Sequence, residues 1–259
     1  MELRRAAIVG VVAACGAPHA VEDAHRVVPP PVIAAADAGG VDAPVDAPVG
    51  TTGDAAIHVV WRNVPVADRA SPGRTPCNTP RAAAVAPTTT WGVPDAFVLI
   101  DRGSAGGSAA AAEAQLVLAD CALAPRALVG ASLVIASRAD RPVQLSLRER
   151  GIPAALVDGT AVPIQLPIAG HSVRVPLVAG RVYELAAGDE TAWIVAGHAL
   201  ATDPSGTATW RDLAVGVHEV TAWLPPRAGH PAKLAHGEVT VTAGGLAEAT
   251  LDLTPAGVP

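Results

Sequence analysis

His230 and His236 bracket the segment "HPAKLAH", and two further histidines, His171 in "AGHSVRV" and His198 in "IVAGHAL", stand singly in β-looking surroundings. Imidazole is the commonest protein ligand for transition metals, so these four are the candidate metal ligands. The "HPAKLAH" loop brings no carboxylate of its own, and His171 and His198 can meet other ligands only through the fold. Asp189 and Glu190 in "AAGDET" offer paired carboxylates for general acid–base work. Adjacent residues of a strand point to opposite faces, however, so a solvated turn is the simpler reading. No G-x-S-x-G, H-E-x-x-H or G-x-x-x-x-G-K-[ST] motif occurs. "RGSAGGSAA" is glycine-rich without a phosphate-loop lysine and reads as a hairpin loop. These residues predict a protein that is not an enzyme and carries no cofactor.

The remaining reactive side chains are Cys15, Cys77 and Cys121. Cys15 closes "IVGVVAAC" after Arg4 and Arg5. That is a positive start followed by an apolar run far shorter than the roughly 20 residues needed to span a bilayer. Residues 1–14 read as an export signal, and "VAAC" resembles the lipobox of bacterial lipoproteins, with Cys15 as the residue that receives lipid. An ordinary cleaved signal with Cys15 incidental is the alternative. In an oxidising envelope Cys77 and Cys121 are most simply a disulfide, which would stabilise the fold by roughly 3–4 kcal/mol. A shared metal is the rival, but neither cysteine has a Cys or His within four residues.

Charge narrows the partners. The chain has a net charge of −6, and losing residues 1–14 removes Arg4, Arg5 and Glu2, giving −7. Residues 15–54 hold six carboxylates against Arg26, which leaves −2 for the rest. A near-neutral body without a basic stripe excludes a nucleic-acid partner from the reading.

The elements that must position these residues are strands. Residues 15–54, with "VVPPPV" and "VDAPVDAPVG", form an extended tether of Ala, Pro and Asp. From Ile57 on, β-rich runs closed by Gly, Pro or Asp recur: "IHVVW", "DAFVLIDRG", "QLVLADC", "ASLVIAS", "VQLSLRER", "VPIQLPI", "SVRVPLV" and "RVYEL". In "VQLSLRER", Val143, Leu145 and Leu147 alternate with Gln144, Ser146 and Arg148, so one face belongs to a core. The alanine run at 109–114 is the one helix candidate. From about Ala192, "AWIVAGHAL", "TATWRDL", "VHEVTAWL", "EVTVTA" and "LAEATLDL" follow, with "PPRAGHPAKLAHG" as a loop. These make an all-β protein of two β-sandwich units, 55–190 and 191–256, joined at "AAGDET". About 60 residues is marginal for an independent core, so the second unit is expected to pack on the first. Trp193 and Trp223 are expected in that core.

"TDPSGTATWRDLAVGVHEVTAW" followed by "GEVTVTAGGLAEATLDL" resembles the carboxypeptidase regulatory-like, transthyretin-type β-sandwich module. Thr202, Asp203, Gly206, Leu213, Gly216, Val220 and Trp223 fall on its pattern. The resemblance implies a structural or adhesive module, not a peptidase. The region before it looks like a plastocyanin (cupredoxin-like) domain, with Cys77, Cys121 and His198 in the family's order. Arg141–Pro142 stands where that family carries His-Asn, and "AAGDETAW" stands where it carries its Cys-His-Met loop. A blue-copper site needs two His, a Cys thiolate and usually an axial Met, and the only methionine is Met1. By resemblance, then, this is a cupredoxin-like unit without its metal.

The expected function is that of a non-catalytic, lipid-anchored protein of the cell envelope, held at the membrane through Cys15. It would face the periplasm or the cell surface, with an envelope protein or polysaccharide as partner. Two alternatives stand beside it. One is copper binding or electron transfer at a non-standard site drawn from His171, His198, His230 or His236. The other is a carbohydrate-binding module that uses exposed tryptophans.

Overall fold

The structure is a computed structural model that describes residues 51–65, 74, 91–100, 112–119, 121–151, 159–227 and 231–253. They all belong to one compact unit, Asp46–Pro259. Every regular element among them is a strand, so the protein is all-β with several mixed sheets. In chain order these are β1 (Thr52–Val60), β2 (Phe97–Ile100), β3 (Glu113–Ala119), β4 (Ala122–Ala124), β5 (Ala127–Val129), β6 (Ser132–Ser137), β7 (Val143–Arg150) and β8 (Ala161–Leu166). There follow β9 (Ser172–Pro176), β10 (Arg181–Ala187), β11 (Glu190–Ala196), β12 (Ala199–Ala201), β13 (Thr207–Ala214), β14 (Gly216–Leu224), β15 (Lys233–Val241) and β16 (Leu246–Asp252).

The pairing is nested. β1 lies between β13, antiparallel, and β16, parallel, while β2 lies between β12 and β14 in the sheet β12-β2-β14-β15. One apolar cluster joins these two sheets, including Ile57, Val59, Val98, Trp210, Leu213, Val220, Val239 and Leu251. Everything from β3 to β11 forms two other sheets, β4-β3-β6-β9 and β5-β11-β10-β7-β8, over a second cluster of Leu116, Leu133, Ile135, Leu145, Leu166, Leu185 and Ile194. The chain leaves the first group at the end of β2 and returns at β12, its antiparallel neighbour, with Leu99 opposite Ala199. The C-terminal strands, too few for a core of their own, are thus completed by β1 and β2 from the other side of a long insertion.

A third cluster lies between the two groups: Phe97, Ala127, Val182, Trp193, Val195, Ala199 and Trp223. Trp223 stacks on Phe97 and meets Trp193 edge-on, both at 5.5 Å between ring centroids. The local sequence accounts for this seam. In "VQLSLRER" the period of two holds, with Leu145 and Leu147 buried and Gln144 exposed, as expected for a strand with one wet face. "AWIVA" and "FVLI" do not alternate, because both faces of β11 and β2 are covered. Trp193 and Val195 face the seam while Ala192 and Ile194 face the second core.

Several boundaries differ from expectation. The strand expected near Ile57 begins at Thr52, within the residues assigned to the tether. Of the alanine run, 109–111 lie outside the described residues, and Glu113 and Ala114 are in β3. "KLAHG", expected as loop, is the first half of β15, where Lys233 to Gly237 pair with β14. "AAGDET" is a hairpin within one sheet: Ala187 pairs with Glu190 across a two-residue turn, with Gly188 at φ 61°. Position 190/191 therefore lies at the start of β11, beside β10, and not between two groups of sheets.

Candidate functional site

The sheet β13-β1-β16 turns one face to its core and the other outward. On the outward face, Thr207, His58 and Thr250 stand level on three adjacent strands, since His58 is in register with both threonines. Two residues beyond Val60, the end of β1, Arg62 pairs with Asp252 at 3.4 Å. Trp91 walls the other side, and with Ser205 these residues line an open groove of about 520 Å³.

Two close backbone approaches hold the wall. Trp91 sits at φ 54°, a left-handed conformation uncommon for a bulky side chain. Its carbonyl accepts from Trp61 N–H, Gly92 bridges Val60, and Val93 N–H donates to the Val59 carbonyl at 2.9 Å. The turn "TDPSGT" packs against this segment. A Cβ on Gly92 would stand 1.8 Å from the Ser205 carbonyl oxygen, and one on Gly206, at φ 85°, 2.5 Å from Val93 N. Buried Thr202 ties the same places together, accepting from Ala96 N–H at 2.9 Å and donating to the Val93 carbonyl at 2.7 Å.

The turn also orients the groove's polar groups. Asp203 Oδ1 accepts from Ser205 N–H, Ser205 Oγ–H and Thr207 N–H at 2.8, 2.6 and 3.0 Å. Burial raises the Asp203 pKa, but these hydrogen bonds outweigh it and hold the carboxyl below its ordinary value. An ionised carboxylate only accepts, so the single Ser205 hydroxyl proton is committed to it. The 3.0 Å contact between Ser205 Oγ and Thr207 Oγ1 must then be donated by Thr207. Thr207 in turn has no proton left for His58, whose Nδ1 lies 3.1 Å from its oxygen. The network therefore places a proton on His58 Nδ1, and in the neutral imidazole Nε2 is then the acceptor. Ser205 faces a carboxylate and not the imidazole, so the relay does not prime it as a nucleophile.

The residues expected to act are distributed otherwise. Cys15, Cys77 and His230 lie outside the described residues. Cys121 occupies the turn between β3 and β4 at φ 60°. His171 is exposed before β9, His198 sits between β11 and β12, and His236 on β15 meets Thr221 Oγ1 at 3.0 Å. No three His, Cys, Asp or Glu side chains among the described residues are grouped as a metal site. Trp61, Trp193, Trp210 and Trp223 are buried, and only Trp91 is partly open.

The acidic pair divides. Asp189 is exposed, as a solvated turn requires, but Glu190 is 3% exposed and accepts from Arg126 Nη2 at 2.8 Å. Nearby, Arg227 donates to the Pro94 carbonyl at 3.0 Å and faces Asp95 at 3.8 Å. Burial lowers the Arg227 pKa, Asp95 opposes that, and Arg126 adds to it. Arg126 and Glu190 belong to the inserted strands, Asp95 and Arg227 to the outer ones, so this polar rim edges the aromatic seam.

His58, Thr207 and Thr250 were missed in the sequence because each is an ordinary strand residue. Only the pairing of β1 with partners about 150 and 190 positions away makes them one row. The chain gives no significant match to any protein-family model, curated protein or solved structure.

Proposed function

We propose that this chain is a non-catalytic, lipid-anchored protein of the cell envelope that binds or scaffolds through two β-sandwich units. The observation that carries the reading is the outward face of β13-β1-β16. Asp203 orients Ser205 and Thr207, Thr207 meets His58, and Asp252 pairs with Arg62, an arrangement suited to holding a ligand. The outer strands support the resemblance to the carboxypeptidase regulatory-like module. Thr202 and Asp203 make the turn, Gly206 and Gly216 take positive φ, and Leu213, Val220 and Trp223 are buried. Residues 55–190 are the unit read as cupredoxin-like. Cys15 carries the lipid, and Cys77 pairs with Cys121.

Intact mass spectrometry of the mature protein tests this. A diacyl or triacyl group on Cys15 and, without reductant, one disulfide are expected. The Cys15→Ser chain is expected to lose the lipid and leave the membrane fraction. An unlipidated wild-type chain, or a variant that still sediments with membranes, overturns the anchoring, and two free thiols overturn the disulfide.

A further inference from the structure

We propose that the groove on the outward face of β13-β1-β16 is a carbohydrate-binding site for a neutral hexose polymer, with Trp91 as stacking wall and Thr207, His58 and Thr250 as its hydrogen-bonding row. The inference rests on the binding role proposed above and names the ligand class. Three independent features of the groove converge on it.

The first is charge. Arg62, the cation of the groove, is matched by Asp252, and the Asp203 carboxylate is enclosed by three donors of its own turn. Among the described residues, a phosphate, sulfate or carboxylate ligand would find no positive charge there without a carboxylate partner. The second is the tautomer. With Nδ1 protonated, the neutral imidazole of His58 presents Nε2 as an acceptor that takes an O–H donor. Thr250 on one side and Thr207 on the other are hydroxyls, able to donate or accept. Sugar hydroxyls need this mixture of roles along one line, and the row crosses three strands at their regular spacing of about 4.8 Å.

The third is the wall. Trp91, half-buried and packed in part on the first core, borders the line of hydroxyls, and an indole so placed matches a pyranose, which is apolar on its C–H faces and polar around its rim. The protein keeps Trp91 in a left-handed backbone conformation through the Gly92 and Gly206 contacts. Such backbone strain persists only where the surroundings enforce it. The other four tryptophans are buried in the cores and the seam, so this ring is the one placed at an open surface. The groove volume lies in the range of small-ligand sites, about 300–1,000 Å³.

The test uses the full mature chain in affinity gel electrophoresis and isothermal titration. The probes are soluble neutral glycans (α-1,4-glucan, β-1,3-glucan, β-1,4-gluco-oligosaccharide and mannan) and two anionic ones, polygalacturonate and alginate. At least one neutral glycan is expected to bind, and Trp91→Ala to weaken it at least tenfold. Thr250→Val, an exposed substitution that leaves the core untouched, is expected to weaken it several-fold. His58→Gln, which keeps an acceptor near the Nε2 position, is expected to bind better than His58→Ala. Circular dichroism melts report whether each variant is folded. Absence of binding to every neutral glycan, binding only to the anionic polymers, or neutral binding indifferent to both Trp91→Ala and Thr250→Val would each overturn the site. If the glycans fail while Cys15 still carries lipid, the site alone falls. If Cys15 is unlipidated while the glycans bind, the anchoring falls and the site stands.

Discussion

Glu190 shows how much one side chain can depend on a distant partner. Its carboxylate is buried against Arg126, which keeps 26% side-chain exposure, and losing the charge leaves Arg126 beside Arg227, with Asp95 the carboxylate that faces Arg227 among the described residues. Glu190→Gln is therefore expected to lower unfolding stability by about 2–3 kcal/mol, somewhat less than for a fully buried pair. Asp189→Asn, one residue away in the open turn, is expected to stay within about 0.5 kcal/mol. Urea titration of both checks the contrast. Alternation in the sequence establishes that these neighbours face opposite ways. It does not establish which one faces inward, because the deciding arginine lies 64 positions earlier.

At the scale of elements, the turn before β13 and the segment before β2 act as one clamp through two glycines. Gly206→Ala adds a Cβ at 2.5 Å from a backbone nitrogen and at a positive φ, so a loss of about 2–4 kcal/mol is expected from combined clash and strain. Gly188, also at positive φ but with nothing near its Cβ position, is the control, and Gly188→Asn is expected to cost less than about 1 kcal/mol. Thermal melts of the two variants decide this. Most strands could be read from local pattern, because alternation in β7 and β16 and β-branched runs in β6 and β1 need no distant information. β15 starts before its local pattern indicates: Pro, Gly and His there read as loop, whereas nine register pairs with β14 override that local preference.

For the whole molecule, the aromatic seam makes the inserted and outer strands one cooperative body. Calorimetry of the wild type is expected to show a single transition. Trp223→Ala, which removes the ring between Phe97 and Trp193, is expected to cost about 3–5 kcal/mol and to split the transition in two. A single unsplit transition in the variant would mean that the polar rim alone couples the groups. The all-β class followed from composition and periodicity. The nesting did not, because β1 and β2 find their partners across more than a hundred residues, and no local motif records a pairing of that span. Its one trace is the unbroken apolar character of "AWIVA" and "FVLI", which marks strands with no wet face.

The parallel ladder between β1 and β16 also has a mechanical meaning. Seven register pairs run from Asp54 with Leu246 to Val60 with Asp252. The chain comes into β1 at the first end and leaves β16 at the other. Tension between the two ends slides the strands lengthwise and strains all seven pairs together, whereas a hairpin pulled from its open end parts one pair at a time. Held from its N-terminal side and gripped near its C-terminus, the protein would behave as a shear clasp, yielding late and all at once.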